Sequence, residues 1–378
     1  MQKQDQTRGN MCFHNAYCNE EAAASDKNNG LKESDAHGIN IDICVDPRVE
    51  LMSVIFRLAG NNEYTQCQIP EYDKDIEAYF KPYKNHPAVK FAVELRKSRG
   101  VSFDAPMSMA VHLTDANAIK ELVPFKPHPP RLDRRWHYKE AEKFLEKARQ
   151  FVKDTNFIGF FNEHKAFYDE TVKTFKDAIR QNAHFEWFDE FFGDRGNVTF
   201  HVILGMANGG PSYGASVILD GRQYMYSIPG VWLCDTNGKP AFNEEAVNTL
   251  FHEFCHSYTN PIAAKFESAL EPAGKILYPE VEPVMKRQAY GSWQTMIKEY
   301  IVRICIIQYY RKYQTPQDVK RLLRNEVSRG FIDMRELDEV VSKYESQRDK
   351  YPTFESFFPK VVDFFNEYSK NLYANENQ

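Results

Sequence analysis

The 378-residue sequence predicts a mostly helical α+β fold with one small antiparallel or mixed sheet. Two observations predict it. Apolar residues recur three and four apart through most of the chain, the spacing that gives a helix one buried face. Strand-like alternation punctuated by turn dipeptides is confined to residues 196–228, so the sheet must be small.

Residues 1–40 are polar, rich in Asn, Asp, Lys and Ala, and read as a flexible leader. Order is expected from Asp46-Pro47, an N-cap followed by proline at the first helical position, with Val49, Met52, Ile55 and Leu58 at helical spacing. Residues 72–80 and 87–96 also read as helices, and the proline-rich stretch 124–130 as an extended connector. Charged amphipathic helices follow at 138–154 and 162–182. Beyond Gly196, residues 199–204 and 212–219 read as strands separated by Gly209-Gly210-Pro211. Asp220-Gly221 is a hairpin dipeptide leading into a third strand at 222–228. Helices are then expected at 243–259, 284–311, 316–328, 335–347 and 358–370, with Thr315-Pro316 a clear helix start. The organisation is a leader (1–40), a helical N-terminal region (41–195) and a C-terminal region (196–378) holding the sheet and the chemically informative helix.

Composition narrows the function. Hydrophobic residues make up 42% and aromatic residues 14%, enough for a substantial core. The net charge of −5 lacks the basic footprint of a nucleic-acid binder. No apolar run approaches the roughly 18 residues that a membrane helix needs. A soluble protein is therefore expected. The first residues show no hydrophobic signal-peptide core, but an export signal already removed fits the sequence equally, so the compartment stays open. The seven cysteines are odd in number and irregularly spaced, so no disulfide framework or paired-cysteine metal knuckle emerges.

The informative helix begins at Asn243, a good cap, and Glu244 and Glu245 suit the positive end of its dipole. Val247, Leu250, Phe251, Phe254 and Tyr258 form its core face. Asn260-Pro261 is expected to end it. His252 and His256, four residues apart, stack on one helix face and can share a Zn²⁺ ion. Glu253 points about 100° away from His252, unsuited to be a third ligand but able to reach a water in the ion's coordination sphere. Zinc lowers the pKa of such a water to about 7, and Glu253 can take its proton as general base. This is the HExxH arrangement. Random placement of these residues would give about 0.03 matches to it.

A catalytic zinc site needs a third protein ligand. Glu267, Glu271, Glu280 and Glu282 are near in sequence, but Pro272, Gly274, Pro279 and Pro283 break their segment into loop and short turns. Cys234, 18 residues before His252, is a rival because thiolate suits zinc. Cys255, inside the motif, reads as core. Glu299 is the preferred candidate, 43 residues after His256. It is embedded among Met296, Ile297, Ile301 and Val302, where a carboxylate is costly unless paired or metal-bound. An ion pair with Arg303 is its plainer explanation.

His252-Glu253-Phe254-Cys255-His256 followed by a distant helix carrying Glu299 resembles the gluzincin metallopeptidases. More narrowly, segments 50–60, 209–214 and 252–261 resemble an uncharacterised bacterial HExxH family of the domain-of-unknown-function kind. The resemblance implies a zincin-like fold over 196–378, His252 and His256 as ligands, Glu253 as base and a third glutamate, placed here at Glu299. Lys298 stands where these enzymes usually carry asparagine. The resemblance also implies an oxyanion donor outside the HExxH helix, for which Tyr290 is the leading candidate and His201 and Tyr213 weaker ones. It further implies a substrate-binding edge strand, at 198–204 or 212–219. The expected activity is zinc-dependent hydrolysis of a peptide or protein substrate. The alternatives are zinc hydrolysis of a non-peptide substrate and an inactive zincin-scaffold binding protein.

Overall fold

A computed structural model describes residues 41–376 apart from 181–182 and 194–196. The expected leader lies outside the described residues. In chain order the elements are β1 (Asp42–Cys44), α1 (Pro47–Leu58), α2 (Pro70–Phe80), α3 (Pro87–Arg99), α4 (Asp104–Val111), α5 (Tyr138–Thr155), α6 (Phe157–Glu163), α7 (Lys165–Ile179) and α8 (Glu186–Phe192). They continue as β2 (Val198–Ile203), β3 (Tyr213–Leu219), β4 (Arg222–Ile228), α9 (Glu244–Lys265), α10 (Glu267–Arg287), α11 (Trp293–Tyr313), α12 (Pro316–Ser328), α13 (Met334–Val341) and α14 (Phe354–Glu376). The fold is mostly helical α+β, as expected. No helix among the described residues is long and apolar enough to cross a membrane.

The sheet is mixed, in the order β1-β2-β4-β3. β1 pairs parallel to β2, β2 parallel to β4, and β3 antiparallel to β4. Because β1 pairs with β2, the sheet draws strands from both sides of residue 195. The β3–β4 hairpin turns at Asp220 and Gly221, both at positive φ (49° and 77°), the two-residue turn whose twist matches the strands. Leu219 and Arg222 flank that turn and are partners, so they form a hydrogen-bonded pair. Alternation then directs the main-chain groups of Gly214, Ser216 and Ile218 away from β4, toward the open edge. Gln223, opposite Ile218, correspondingly donates its N–H to Asn197 on the other side.

The two sheet faces carry different loads. Phe200 on β2 meets Phe254 and Tyr258 of α9, with ring centroids 4.6 and 5.9 Å apart. The opposite face carries His201, Tyr226 and Tyr213, and Tyr213 packs on Tyr64 beside α1 and α4. The helix α11 runs through the core alongside α9, and nearly its whole length from Met296 to Tyr309 is buried.

Four local expectations give way. The helix expected at 284–311 is broken at 288–292, where α10 ends and α11 has yet to begin. Pro261 does not end α9, which continues to Lys265 because Ile262 and Ala263 bury themselves and anchor one more turn. The segment with three prolines is not loop but the 21-residue α10. Pro272, Pro279 and Pro283 lie seven and four residues apart, on one exposed stripe. The carbonyls they leave without partners face water, while Leu270, Ala273, Leu277, Val281 and Met285 hold the opposite face in the core. The helix expected at 162–182 is two helices, α6 and α7, broken at His164.

Candidate metal centre

Asn243 caps α9 by accepting the Glu245 N–H at 3.0 Å. Two to three turns in, Leu250, Phe251 and Phe254 bury the apolar face and fix the helix's rotation. That rotation points His252 and His256 at α11, where Glu299 projects toward them. His252 Nε2 and His256 Nε2 are 3.2 Å apart. Glu299 Oε1 lies 3.2 Å from His256 Nε2, and Glu299 Oε2 lies 3.5 Å from His252 Nε2. These three residues form a cluster able to hold a metal ion. The triangle suits zinc: with Zn–N bonds of about 2.0–2.1 Å, ligand atoms on a tetrahedron stand about 3.3 Å apart. The histidine side chains are about one-fifth exposed (22% and 21%), so a fourth position can open to solvent.

The surroundings prepare these groups. Burial, joined by the charge of His256, pushes His252 down to about 4 despite its bond to Glu299, so it stays neutral and keeps a lone pair for a metal. Burial also lowers His256, but its bond to Glu299 and the charges of Glu299 and Glu253 outweigh this and raise it. Burial would raise Glu299, but the two histidines hold it well below the usual carboxylate range. His256 Nδ1 faces Asn260 Oδ1 at 3.4 Å, an arrangement that leaves Nε2 free to ligate. Glu299 is braced from behind. Tyr290 donates to its Oε2 at 3.0 Å, and Arg303 Nη2 donates to the same oxygen at 3.2 Å. Arg303 also donates to Glu326 at 2.8 Å and to the Tyr290 hydroxyl at 3.0 Å. Glu326 is also met by Arg329 at 3.6 Å, so Arg303 is shared between Glu299 and an already paired carboxylate.

Glu253 faces a different space. Its carboxylate lies against β3, so close that a side chain at Gly214 would put Cβ 3.2 Å from Oε2. Burial raises Glu253 to about 7, the charge of Glu299 adding to it and that of His256 opposing it. Beside it runs a groove of about 430 Å³ along the open edge of β3. One wall is α9, with Glu253, His256 and Asn260. The other is Asp104 and Ser108 of α4 with the 130–133 turn.

The structure therefore brings His252, Glu253, His256, Glu299 and Tyr290 together. It does not bring in the others. Cys234 sits at an isolated bridge with Pro240, its Sγ 3.2 Å from the Gln68 carbonyl. Glu271 and Glu282 pair with Lys275 and Lys286 on the surface of α10. His201 lies on the sheet face away from α9, next to Asp42. Tyr213 lines the groove, but its ring packs on Tyr64. The tight backbone at Gly209 and Gly230 serves the chain's own crossing, where a Cβ on Gly230 would fall 2.1 Å from the Gly209 carbonyl. Sequence reasoning missed Asn260, although the spacing 252–256–260 continues the histidine stripe. Reading Pro261 as a helix end removed that signal.

The fold and site define a mostly helical α+β protein in which an HExxH helix and a carboxylate from a second core helix converge on one point. The chain matches the family described as a domain of unknown function, DUF4932, over residues 41–364, and it belongs to that family. No curated protein and no solved structure matches it.

Proposed function

We propose that the protein is a zinc-dependent peptidase with a gluzincin-like, zincin-type arrangement, in which His252, His256 and Glu299 hold the ion and Glu253 is the general base. The triangle of ligand atoms drawn from α9 and α11 carries this reading. Bound there, zinc would supply Lewis acidity to a substrate carbonyl and to an attacking water. Glu253, at about 7, is matched to accept a proton from that water and pass it to the departing amine near neutral pH. Tyr290 and Arg303 hold the Glu299 carboxylate in place. Tyr290 acts here as a positioning residue, its hydroxyl already bonded to Glu299.

A peptide substrate is favoured by the groove's floor. The main-chain groups of Gly214 and Ser216 face the open edge in the groove beside Glu253, those of Ile218 continue it further along β3, and an extended peptide can add to them as a further strand. The test is hydrolysis of a mixed peptide library by the zinc-loaded protein and by Glu253→Gln. The wild type should cleave and the variant should not, while both retain the metal. A variant as active as the wild type would remove Glu253 from the mechanism.

A further inference from the structure

Three arginines stand on the 130–135 turn at the groove's outer wall; Arg134 is exposed, and the surroundings of Arg131 and Arg135 differ. Arg135 is saturated. Its guanidinium donates to Asp133 at 2.8 Å, to Asp104, and to the carbonyls of Gly100 and Ser102 at 3.3 and 3.0 Å. The two groove-lining carboxylates, Asp104 and Asp133, therefore share one cation outside the lining, which leaves the three groups with one net negative charge. Arg131 lines the groove itself and is half-buried. Its guanidinium makes one long bond, 3.4 Å from Nη2 to Gln223 Oε1, and has no carboxylate in ion-pair range among the described residues. It carries a positive charge with most of its donors available.

Its place along the groove is set by register. Gln223 is the partner of Ile218, and Glu253 sits at Gly214. Arg131 therefore reaches the β3 edge within four residues of the base, about 13 Å at 3.3 Å per strand residue. A peptide added to β3 would pass Glu253 and then meet Arg131 two to four residues further on.

We infer that Arg131 is a specificity-determining residue, an anion-reading subsite that selects peptides carrying a carboxylate two to four residues from the cleaved bond. This rests on the peptidase reading and deepens it by naming the substrate class. A peptide running antiparallel to β3 presents its N-terminal side to Arg131, so the carboxylate belongs to an Asp or Glu side chain before the bond. A parallel peptide would present its C-terminal side, where a chain-terminal carboxylate could serve. Planar, bidentate recognition of this group is what a guanidinium does better than an ammonium.

The experiment is cleavage-site profiling of a proteome-derived peptide library by mass spectrometry, using the zinc-loaded full chain, Arg131→Ala, Arg131→Glu and Arg131→Lys. Peptides are supplied as free acids and as C-terminal amides. Wild-type sites should be enriched in Asp or Glu two to four residues before the cleaved bond, equally in both sets. Arg131→Ala should lose that enrichment, with KM for an acidic substrate rising on the order of 10-fold and kcat little changed. Arg131→Glu should shift selection toward Lys and Arg, and Arg131→Lys should retain part of the acidic preference. Cleavage confined to the free-acid set would make the chain terminus the group read. Cleavage without acidic preference, or an unchanged profile in Arg131→Ala and Arg131→Glu, would overturn the subsite and leave the peptidase reading standing. A wild type that cleaves neither set would overturn both.

Discussion

Glu50 and Glu253 are two carboxyls that burial raises to the same value, about 7, in opposite settings. Glu50 on α1 is enclosed and fully partnered. It accepts the Met206 N–H at 2.7 Å, the Ala207 N–H at 3.1 Å and the Tyr72 hydroxyl at 2.7 Å, which ties α1 to the chain leaving β2. Glu253 on α9 has no hydrogen bond to another described residue and opens on the groove. A buried carboxyl saturated with donors holds the fold together. One with the same proton affinity and vacant lone pairs has capacity for a substrate or a water. The raised pKa alone does not separate the two roles; the partners do.

The largest expected effect that would sharpen this contrast is on catalysis. Glu253→Gln should lower peptide hydrolysis by about 10²–10⁴-fold, read as kcat, with the thermal midpoint held or raised because a costly lone carboxylate is gone. Next comes stability. Glu50→Ala strands two backbone N–H groups and leaves the Tyr72 hydroxyl with Tyr168 alone, so urea denaturation should show a loss of about 3 kcal/mol. Equal stability losses at both positions would break the comparison.

Glu50 also makes a pH prediction. Folding raises its carboxyl from 4.5 to about 7, so the folded state holds the extra proton between those values. The associated stability is complete below about pH 4.5 and is lost as pH rises to 7. Thermal melts of the wild type relative to Glu50→Gln should show the wild type losing ground up to pH 7 and then levelling. A flat difference would contradict the assignment. Smaller effects test the groove and the ligand's orientation. Gly214→Ala places Cβ against Glu253 Oε2, and kcat should fall about 10-fold with little change in melting temperature. Asn260→Ala should weaken zinc affinity by about 10-fold, measured by competition with a chromogenic chelator.

The centre of the site was legible because its parts follow helical arithmetic. The spacing of His252 and His256 and the apolar setting of Glu299 each predict a direction, and in the structure the three side chains lie close together. Arg303 shows why the plainer explanation of Glu299 was not a rival: the ion pair at Oε2 coexists on one carboxylate with the approach of His256 to Oε1 and of His252 to Oε2. The groove was not legible. Asp104, Arg131 and Asp133 lie more than a hundred residues before Glu253 in sequence and meet it only through tertiary packing. The eight-residue α4 and three-residue β1 are too short to show a period. Local breaker rules failed at Pro261 and in α10, because packing on the buried face outweighed the loss of a hydrogen bond on the exposed one.

The central claim is that three side chains from α9 and α11 hold one metal ion. The most direct test is the metal content of purified full-length protein after zinc loading and gel filtration, for the wild type, Glu299→Ala and Cys234→Ala. The account predicts one zinc per chain in the wild type and in Cys234→Ala, with loss in Glu299→Ala. A wild type without zinc, or a Glu299→Ala variant that keeps it at full affinity, would contradict it.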